Sequence, residues 1–478
     1  MTQRLLAARL RLAARPTGRP CGVPDMPAAT TSARAPRAAS PWWCAIVAGL
    51  LAAYAVMAWT ASLAKGVSFD EGVQLAVGYN EWLRGDFRIE GANGDLVKRW
   101  ATLPFLISRP HFLSPHDPLW QRADSYEFGR RFLFELGNAP DALLAQARAM
   151  VTLLGVATDL LVLACSRALF GRSGALVSLA LFAFSPHMLA FGGIVSTDMS
   201  VILMLPASTW CIWRLLHEVT VTRVIASAGC CGLLLLAKMT AVVIFPITAV
   251  LIAVRFAANP PLIVRWRTKS WELRRRRPQA MLALALVICH ALAGWAAIWA
   301  HYDFRYSATP PGYGLAAALP PPSYADGRPG PAAAVVQFTR EHRLLPEGYC
   351  HGVEWLLGSD DKLPAFMRGQ IKLGGWRAFF PYAIWVKTHP TLFALVAFGG
   401  WAWWRARRNP VAGAAGADGD PPSFYAATPF VTLIGVYLAV AVTENINLGH
   451  RHVLPIYPAL YVLAGSVVLG WRRHAARA

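Results

Sequence analysis

Two adjacent carboxylates, Asp70 and Glu71, follow Phe69 just after the first long apolar run and open a polar stretch. Neighbouring carboxylates repel, and apolar surroundings raise a carboxyl pKa, so an Asp placed there acts as a general base when a cation keeps it ionised. A solvated helix end would present the same pair without chemistry, and spacing alone leaves both readings open. Matching cations appear far downstream. The run Asn445 to His452 ends in His450, Arg451 and His452, three groups able to meet a phosphate, with Arg451 supplying a forked donor. Two histidines at i,i+2 could also hold a metal on an extended segment, but that run contains no carboxylate, which puts metal below phosphate.

Other ionisable residues stand where a bilayer would not keep them without reason. Asp198 follows Ser196 and Thr197 at a helix start, where an N-cap role would suffice. Lys238 lies between two apolar runs, and Lys387 and His389 interrupt another. An ionisable group at the bilayer centre costs at least about 2.5–3.5 kcal/mol, so these are expected near the membrane surface or paired with an anion. Tyr79 to Arg88 and Leu96 to Ile107 alternate apolar and basic residues around Trp82, Phe87 and Trp100. That pattern predicts helices lying in the membrane interface, with Lys98 and Arg99 facing head groups or merely snorkelling. Asp159, in the middle of an apolar run, is expected to make a structural hydrogen bond.

The elements that must position these residues are membrane helices. Of 478 residues, 55% are apolar and only 15% charged, against about 25% charged in an ordinary soluble domain. With a mean hydropathy of +0.39, the chain is neither soluble, disordered, a coiled coil nor a disulfide scaffold. Ten stretches are long or apolar enough to read as crossings, at about 41–64, 143–166, 173–190, 199–216, 224–237, 240–254, 279–300, 379–402, 426–443 and 453–471. The pair around Lys238 also reads as one broken hairpin. The expected fold is an all-α polytopic membrane protein of about ten transmembrane helices with two long extracytoplasmic loops.

The net charge of +20 would suggest nucleic acid in a soluble protein; here it marks cytoplasmic loops, and no nucleic-acid partner is expected. The amino-terminal arginines, Arg167/Arg172, the run from Arg265 to Arg277, Arg405/Arg407/Arg408 and Arg472/Arg473 all fall on one side when ten crossings are counted. The expected organisation is a basic cytoplasmic tail (1–40), the first helix (41–64), an outer loop carrying Asp70 (65–142), helices two to seven (143–300), a second outer loop (301–378), helices eight to ten (379–471) and a cytoplasmic tail (472–478). The first apolar run lacks a small-residue cleavage site, so it reads as an uncleaved helix, and Met26 is a second candidate start. Residues 409–423 read as a flexible linker. Of eight cysteines only Cys350 falls in a long polar stretch, where an impermeant thiol reagent should reach it; no pair on one aqueous side is available for bridging, and no C-x-x-C supports zinc.

The order of short motifs resembles the membrane-embedded glycosyltransferases of the GT-C fold, in the branch of the protein O-mannosyltransferases and the aminoarabinose transferase of lipid A. The residues carrying it are Phe69-Asp70-Glu71, Gly78-Tyr79, Gly85-Asp86-Phe87-Arg88, Ala101-Thr102-Leu103-Pro104, and Ser185-Pro186 through Thr197-Asp198. It continues through Ala237-Lys238, Tyr302-Asp303-Phe304-Arg305-Tyr306, Gly374-Gly375-Trp376, Phe380-Pro381, Lys387-Thr388 and Arg451-His452-Val453-Leu454-Pro455. The resemblance implies transfer of a sugar from a polyprenyl-phosphate carrier to a protein, lipid or glycan acceptor, with inversion, at the outer face of the cytoplasmic (inner) membrane. It implies Asp70 as base, Glu71 orienting the acceptor or Asp70, and Lys98 and Arg451 at the carrier phosphate; Asp198, Lys238, Lys387, His450 and His452 complete the candidate substrate-binding set. Many relatives carry His-Pro-Pro where this chain reads Gly91-Ala92-Asn93-Gly94-Asp95, so a metal or substrate role tied to that His is in doubt. No metal ligand and no cofactor is assigned; a divalent metal stays an option.

A lipid-linked donor agrees with the lack of any nucleotide-binding signature, neither Gly-x-Gly-x-x-Gly after a strand nor a Gly-Lys-Ser/Thr loop. The partners expected are the lipid-linked donor, the acceptor and membrane lipids. The rival from another class is a transporter or flippase of lipid-linked sugars, which should show mid-membrane charges and internal repeats; no repeat is seen. A surface-polysaccharide polymerase or ligase is a second rival, expected to differ in motif order.

Overall fold

A computed structural model describes residues 40–313, 319, 330–359, 364–408 and 421–475. The basic tail up to residue 39, with Cys21 and the alternative start Met26, lies outside the described residues, as do positions 409–420 of the expected linker. The chain is a helical, multi-pass membrane protein. Six helices are long and apolar enough to cross a membrane: Pro41–Leu63, Pro140–Ala183, Met239–Ala258, Arg276–His301, Phe424–Thr443 and His450–Trp471. Arg276–His301 shows why composition reads as membrane. Met281, Leu284 and Leu292 on it are 62–73% exposed, an apolar surface suited to lipid.

The remaining expected crossings take other forms. The second and third merge into Pro140–Ala183, whose 44 residues would run about 66 Å if straight. Gly171, at φ 71° and ψ −165°, breaks that rod into two helices. The fourth and fifth form Asp198–Leu215 and the 17-residue Val221–Ala237, packed side by side. The eighth is split at Thr388 and His389 into Phe379–Lys387 and Pro390–Arg408, because Pro390 cannot continue the first helix. Lys238 is extended, at φ −168° and ψ 149°, between Val221–Ala237 and the 3₁₀ turn Met239–Val243, so the pair around it is broken there as expected.

Two small sheets qualify the all-α expectation. Leu262–Trp266 and Lys269–Leu273 form a hairpin joined in parallel by Glu218–Val219, and Pro364–Met367 pairs with Gln370–Leu373. The first sheet sits at one end of the helices. Asp198–Leu215 runs from Asp198 to Glu218 and Val221–Ala237 returns to Lys238; Met239–Ala258 leads back to the hairpin, and Arg276–His301 leads away. Asp198, Lys238 and His301 therefore share the end opposite the basic hairpin.

The segment 65–142, expected as the first outer loop, folds at that shared end. Glu71–Arg84 is buried along most of its length from Val73 to Glu81, so of the stretch Tyr79 to Arg88 expected at the interface, the part up to Glu81 is covered by protein. Its core joins Tyr79, Phe105, Phe112, Phe128 and Phe132, with ring centroids 5.2–6.3 Å apart. Gly78 lets Leu96–Ala101 approach: a Cβ there would stand 2.2 Å from the Lys98 carbonyl oxygen. Gly94, at φ 67°, brings the next turn against Ala237 and Lys238, and the Asp95 amide donates to the Leu236 carbonyl at 3.0 Å.

Candidate active site

Asp70 is the N-cap residue of Glu71–Arg84, yet its carboxylate caps no amide. It accepts instead from Arg451 Nη1 at 3.1 Å, across 381 positions of sequence. Both side chains stay about one-third exposed, at 33% and 34%, so the pair is open to a ligand. Glu90 and Tyr126 lie within electrostatic reach of Asp70, and the Tyr126 ring meets Phe69 at 4.8 Å.

Glu71 has no such freedom. Its Oε1 accepts from Arg148 Nε at 2.9 Å and the Val195 amide at 3.1 Å; its Oε2 accepts from Arg148 Nη2 at 2.6 Å and the Ser68 amide at 2.9 Å. Arg148 spends its other donors on the carbonyls of Ser62, Lys65 and Gly66, at 2.7–2.9 Å. Both groups are buried, and the carboxylate is fully satisfied. Glu71 is therefore closed to a ligand; it ties the end of the first helix to Pro140–Ala183 and so positions Asp70. Arg148 was not among the expected site residues, although a lone cation in an apolar helix was its signal.

Asp198 and Lys238 form a second pair, 3.1 Å apart, with Ser196 Oγ donating to Asp198 at 3.2 Å. Thr197, not Asp198, is the N-cap residue. Arg451 and His452 stand close enough to Asp198 to act on its charge, which links the two pairs into one group. His450 turns elsewhere. It stacks on His187 at 4.6 Å and bonds Tyr457 Oη at 2.8 Å, with Thr388 on the other side of that hydroxyl. Lys387, exposed at the end of its helix, lies near His187 and His450. His452 packs instead near Phe380 and Lys238, so the two histidines do not assemble a metal site.

Lys98 overturns its expected place at the head groups. It is fully buried, 2.9 Å from Asp95 Oδ1, and donates to the Glu90 carbonyl. Burial alone would lower its pKa, but Asp95, Glu90 and Glu81 hold the ammonium well above the usual lysine value. Burial would raise Asp95; Lys98 and His301 overcome that and hold it below the usual carboxylate range. Glu81 is pushed well up by burial and by Asp95. Its Oε2 and His301 Nε2, 3.7 Å apart, have no hydrogen-bond partner among the described residues.

Glu81, Asp95 and His301 are thus the residues that could hold a divalent cation, with donor atoms within 4.8 Å of one another. Asp95 is already engaged by Lys98 and, at 2.9 Å, by Tyr302 Oη. An ammonium beside the shared carboxylate weakens the site for a dication. Two further expectations fail: Cys350 is 1% exposed and closed to a bulky reagent, and both Asp159 carboxylate oxygens lack a hydrogen-bond partner among the described residues.

The helices behind this site carry the relationship to known proteins. Residues 140–295 match the family model of dolichyl-phosphate-mannose-protein mannosyltransferase. That segment contains Arg148, Asp198 and Lys238. No curated protein matches the chain. Two crystal structures of ArnT from Cupriavidus metallidurans, one apo and one bound to undecaprenyl phosphate, are each 13% identical to it. They cover 90% and 92% of this chain and 77% and 79% of theirs, with TM-scores of 0.35 and 0.34, a likeness too low to assign the fold.

Proposed function

We propose that this protein is a membrane glycosyltransferase of the GT-C type that moves a sugar from a polyprenyl-phosphate carrier to a hydroxyl-bearing protein, lipid or glycan at the outer face of the cytoplasmic membrane. One observation carries the reading: an open Asp70–Arg451 pair stands beside Asp198, Lys238 and His452 at the helix end where the outer-loop residues fold. The family match over 140–295 supports it.

The acceptor hydroxyl attacks the anomeric carbon from the face opposite the carrier phosphate, giving inversion. Its proton passes to Asp70 as the new carbon–oxygen bond forms. The bond from the anomeric carbon to the phosphate oxygen breaks, and its electron pair leaves with the phosphate. Arg451 and Lys238 face that developing charge, which is where fixed positive groups lower a barrier most, and His452 stands beside them. Arg451 exchanges Asp70 for the phosphate on donor binding, which frees the carboxylate for the acceptor. Lys387 and His450 take a flanking role beside His187.

In this reading both termini and the basic hairpin face the cytoplasm, and the loops 65–142 and 301–378 face outward. The assay is transfer of labelled sugar from a polyprenyl phosphate in proteoliposomes, with mass spectrometry of envelope glycans and lipids from a deletion strain supplying the sugar and acceptor. Transfer to no acceptor, together with carrier movement between leaflets, would replace this reading with a flippase.

A further inference from the structure

The helix Pro390–Arg408 presents two unlike faces as it ends. Ala402, Trp403 and Ala406 are buried against the rest of the protein. Trp401, Trp404, Arg405 and Arg408, at i, i+3, i+4 and i+7, share the opposite face and line an open cleft of about 400 Å³. Trp401 and Trp404 remain 47% and 43% exposed.

The guanidiniums are already placed. Arg405 lies over the Trp401 ring at 5.2 Å and Arg408 over the Trp404 ring at 4.5 Å. A guanidinium held over an indole has its planar fork oriented by the ring and keeps N–H edges for another partner. Among the described residues no carboxylate lies within 4.0 Å of either guanidinium, and the helix itself contains no Asp or Glu. Arg407 differs, since it donates to the Pro422 carbonyl at 3.1 Å and is used within the fold.

We infer that this cleft is a binding site for an anionic phospholipid, whose phosphodiester is held between Arg405 and Arg408 while its acyl chains run along the indoles and the apolar helix. Charge complementarity and position select this occupant. Two oriented cations with no counter-ion among the described residues follow the exposed apolar residues Ala394, Ala397 and Phe398 on the same helix, an order that suits a lipid phosphate at the edge of an apolar surface. The site is separate from the Asp70 group and does not depend on the transfer reaction.

The test uses full-length protein in nanodiscs of phosphatidylcholine doped with palmitoyl-oleoyl phosphatidylglycerol, with lipid retained on the protein read by native mass spectrometry after detergent extraction. Wild type should retain phosphatidylglycerol over phosphatidylcholine. Arg405→Gln/Arg408→Gln should weaken that retention by roughly 10- to 150-fold, the worth of losing a charge-assisted contact. Arg405→Lys/Arg408→Lys should fall between them, since charge survives but the stacked fork does not, and this pair decides the matter if the glutamine pair does not fold. Arg265→Gln/Arg267→Gln removes the same charge from the hairpin and should retain lipid as wild type does. Equal retention of the two lipids, unchanged retention in the Arg405/Arg408 variants, or an equal loss in the hairpin variant would each overturn the site.

Discussion

The Arg148 guanidinium and the Glu71 carboxylate hold one another through two hydrogen bonds, at 2.9 and 2.6 Å, with neither group exposed to a ligand. This pair turns the acidic doublet into two residues with different work. Glu71 fixes the backbone at the helix start, and the residue before it is left pointing at Arg451.

Breaking that pair should cost structure before it costs chemistry. Arg148→Ala leaves a buried carboxylate without its counter-ion, a loss of about 3–5 kcal/mol. Thermal unfolding in detergent should therefore shift sharply for Arg148→Ala and clearly, though less, for Glu71→Gln. Unfolding of both variants at the wild-type temperature would show that the pair holds nothing.

Glu81 gives a pH dependence of definite sign. Burial and Asp95 raise its carboxyl well above the ordinary range, so the folded protein binds that proton more tightly than the unfolded chain. The resulting stability is complete below the ordinary Glu value of about 4.3 and is lost as pH rises through the raised folded value. Glu81→Gln removes the titration. Its advantage in melting temperature over wild type should grow from pH 5 to pH 8, and an offset that stays flat with pH would contradict the burial argument.

Lys98 and Arg451, alike in the sequence reading as phosphate cations, should now separate. Arg451→Ala should fold normally and weaken use of the lipid-linked donor by about 10- to 150-fold, with Arg451→Lys recovering only part. Lys98→Ala removes the counter-ion of buried Asp95 and should lower the yield of folded protein. A well-folded Lys98→Ala enzyme with weakened donor binding would reverse the assignment.

The proposed orientation can be checked with introduced cysteines, because Cys350 is closed to labelling. Gln121→Cys lies at an exposed position of the segment 65–142, and Arg267→Cys at the tip of the basic hairpin. An impermeant thiol reagent added outside intact cells should label the first and spare the second. The opposite pattern would invert the topology.

What was legible in the sequence follows from which forces act locally. Long apolar runs need lipid wherever they sit, so most helices appear close to their expected bounds; the break at Gly171 falls in the gap expected between the second and third runs, and the one at Thr388–His389 comes from Pro390, inside a run read as a single crossing. The hairpin Leu262–Trp266/Lys269–Leu273 was hidden inside a basic run that reads simply as a charged loop. Asp70, Asp198, Lys238, Arg451 and His452 were each visible as charges out of place, and the fold groups them. Lys98 misled because a lysine among aromatic residues looks the same in sequence whether it snorkels or pairs with Asp95 three positions earlier. Arg148 was missed because its partner is 77 residues away.

The central claim is that Asp70 takes the proton of the acceptor, and the direct test is transfer from a polyprenyl-phosphate sugar by Asp70→Asn and wild type at equal amounts of folded protein. An amide of the same shape keeps the fold and leaves the Glu71–Arg148 anchor untouched, but it accepts no proton. Turnover should fall by about 10²- to 10⁴-fold, the usual contribution of a positioned base, while donor binding stays within a few-fold of wild type. Transfer by Asp70→Asn at a rate near that of wild type would contradict the account and leave Asp70 as a solvated helix end paired with Arg451.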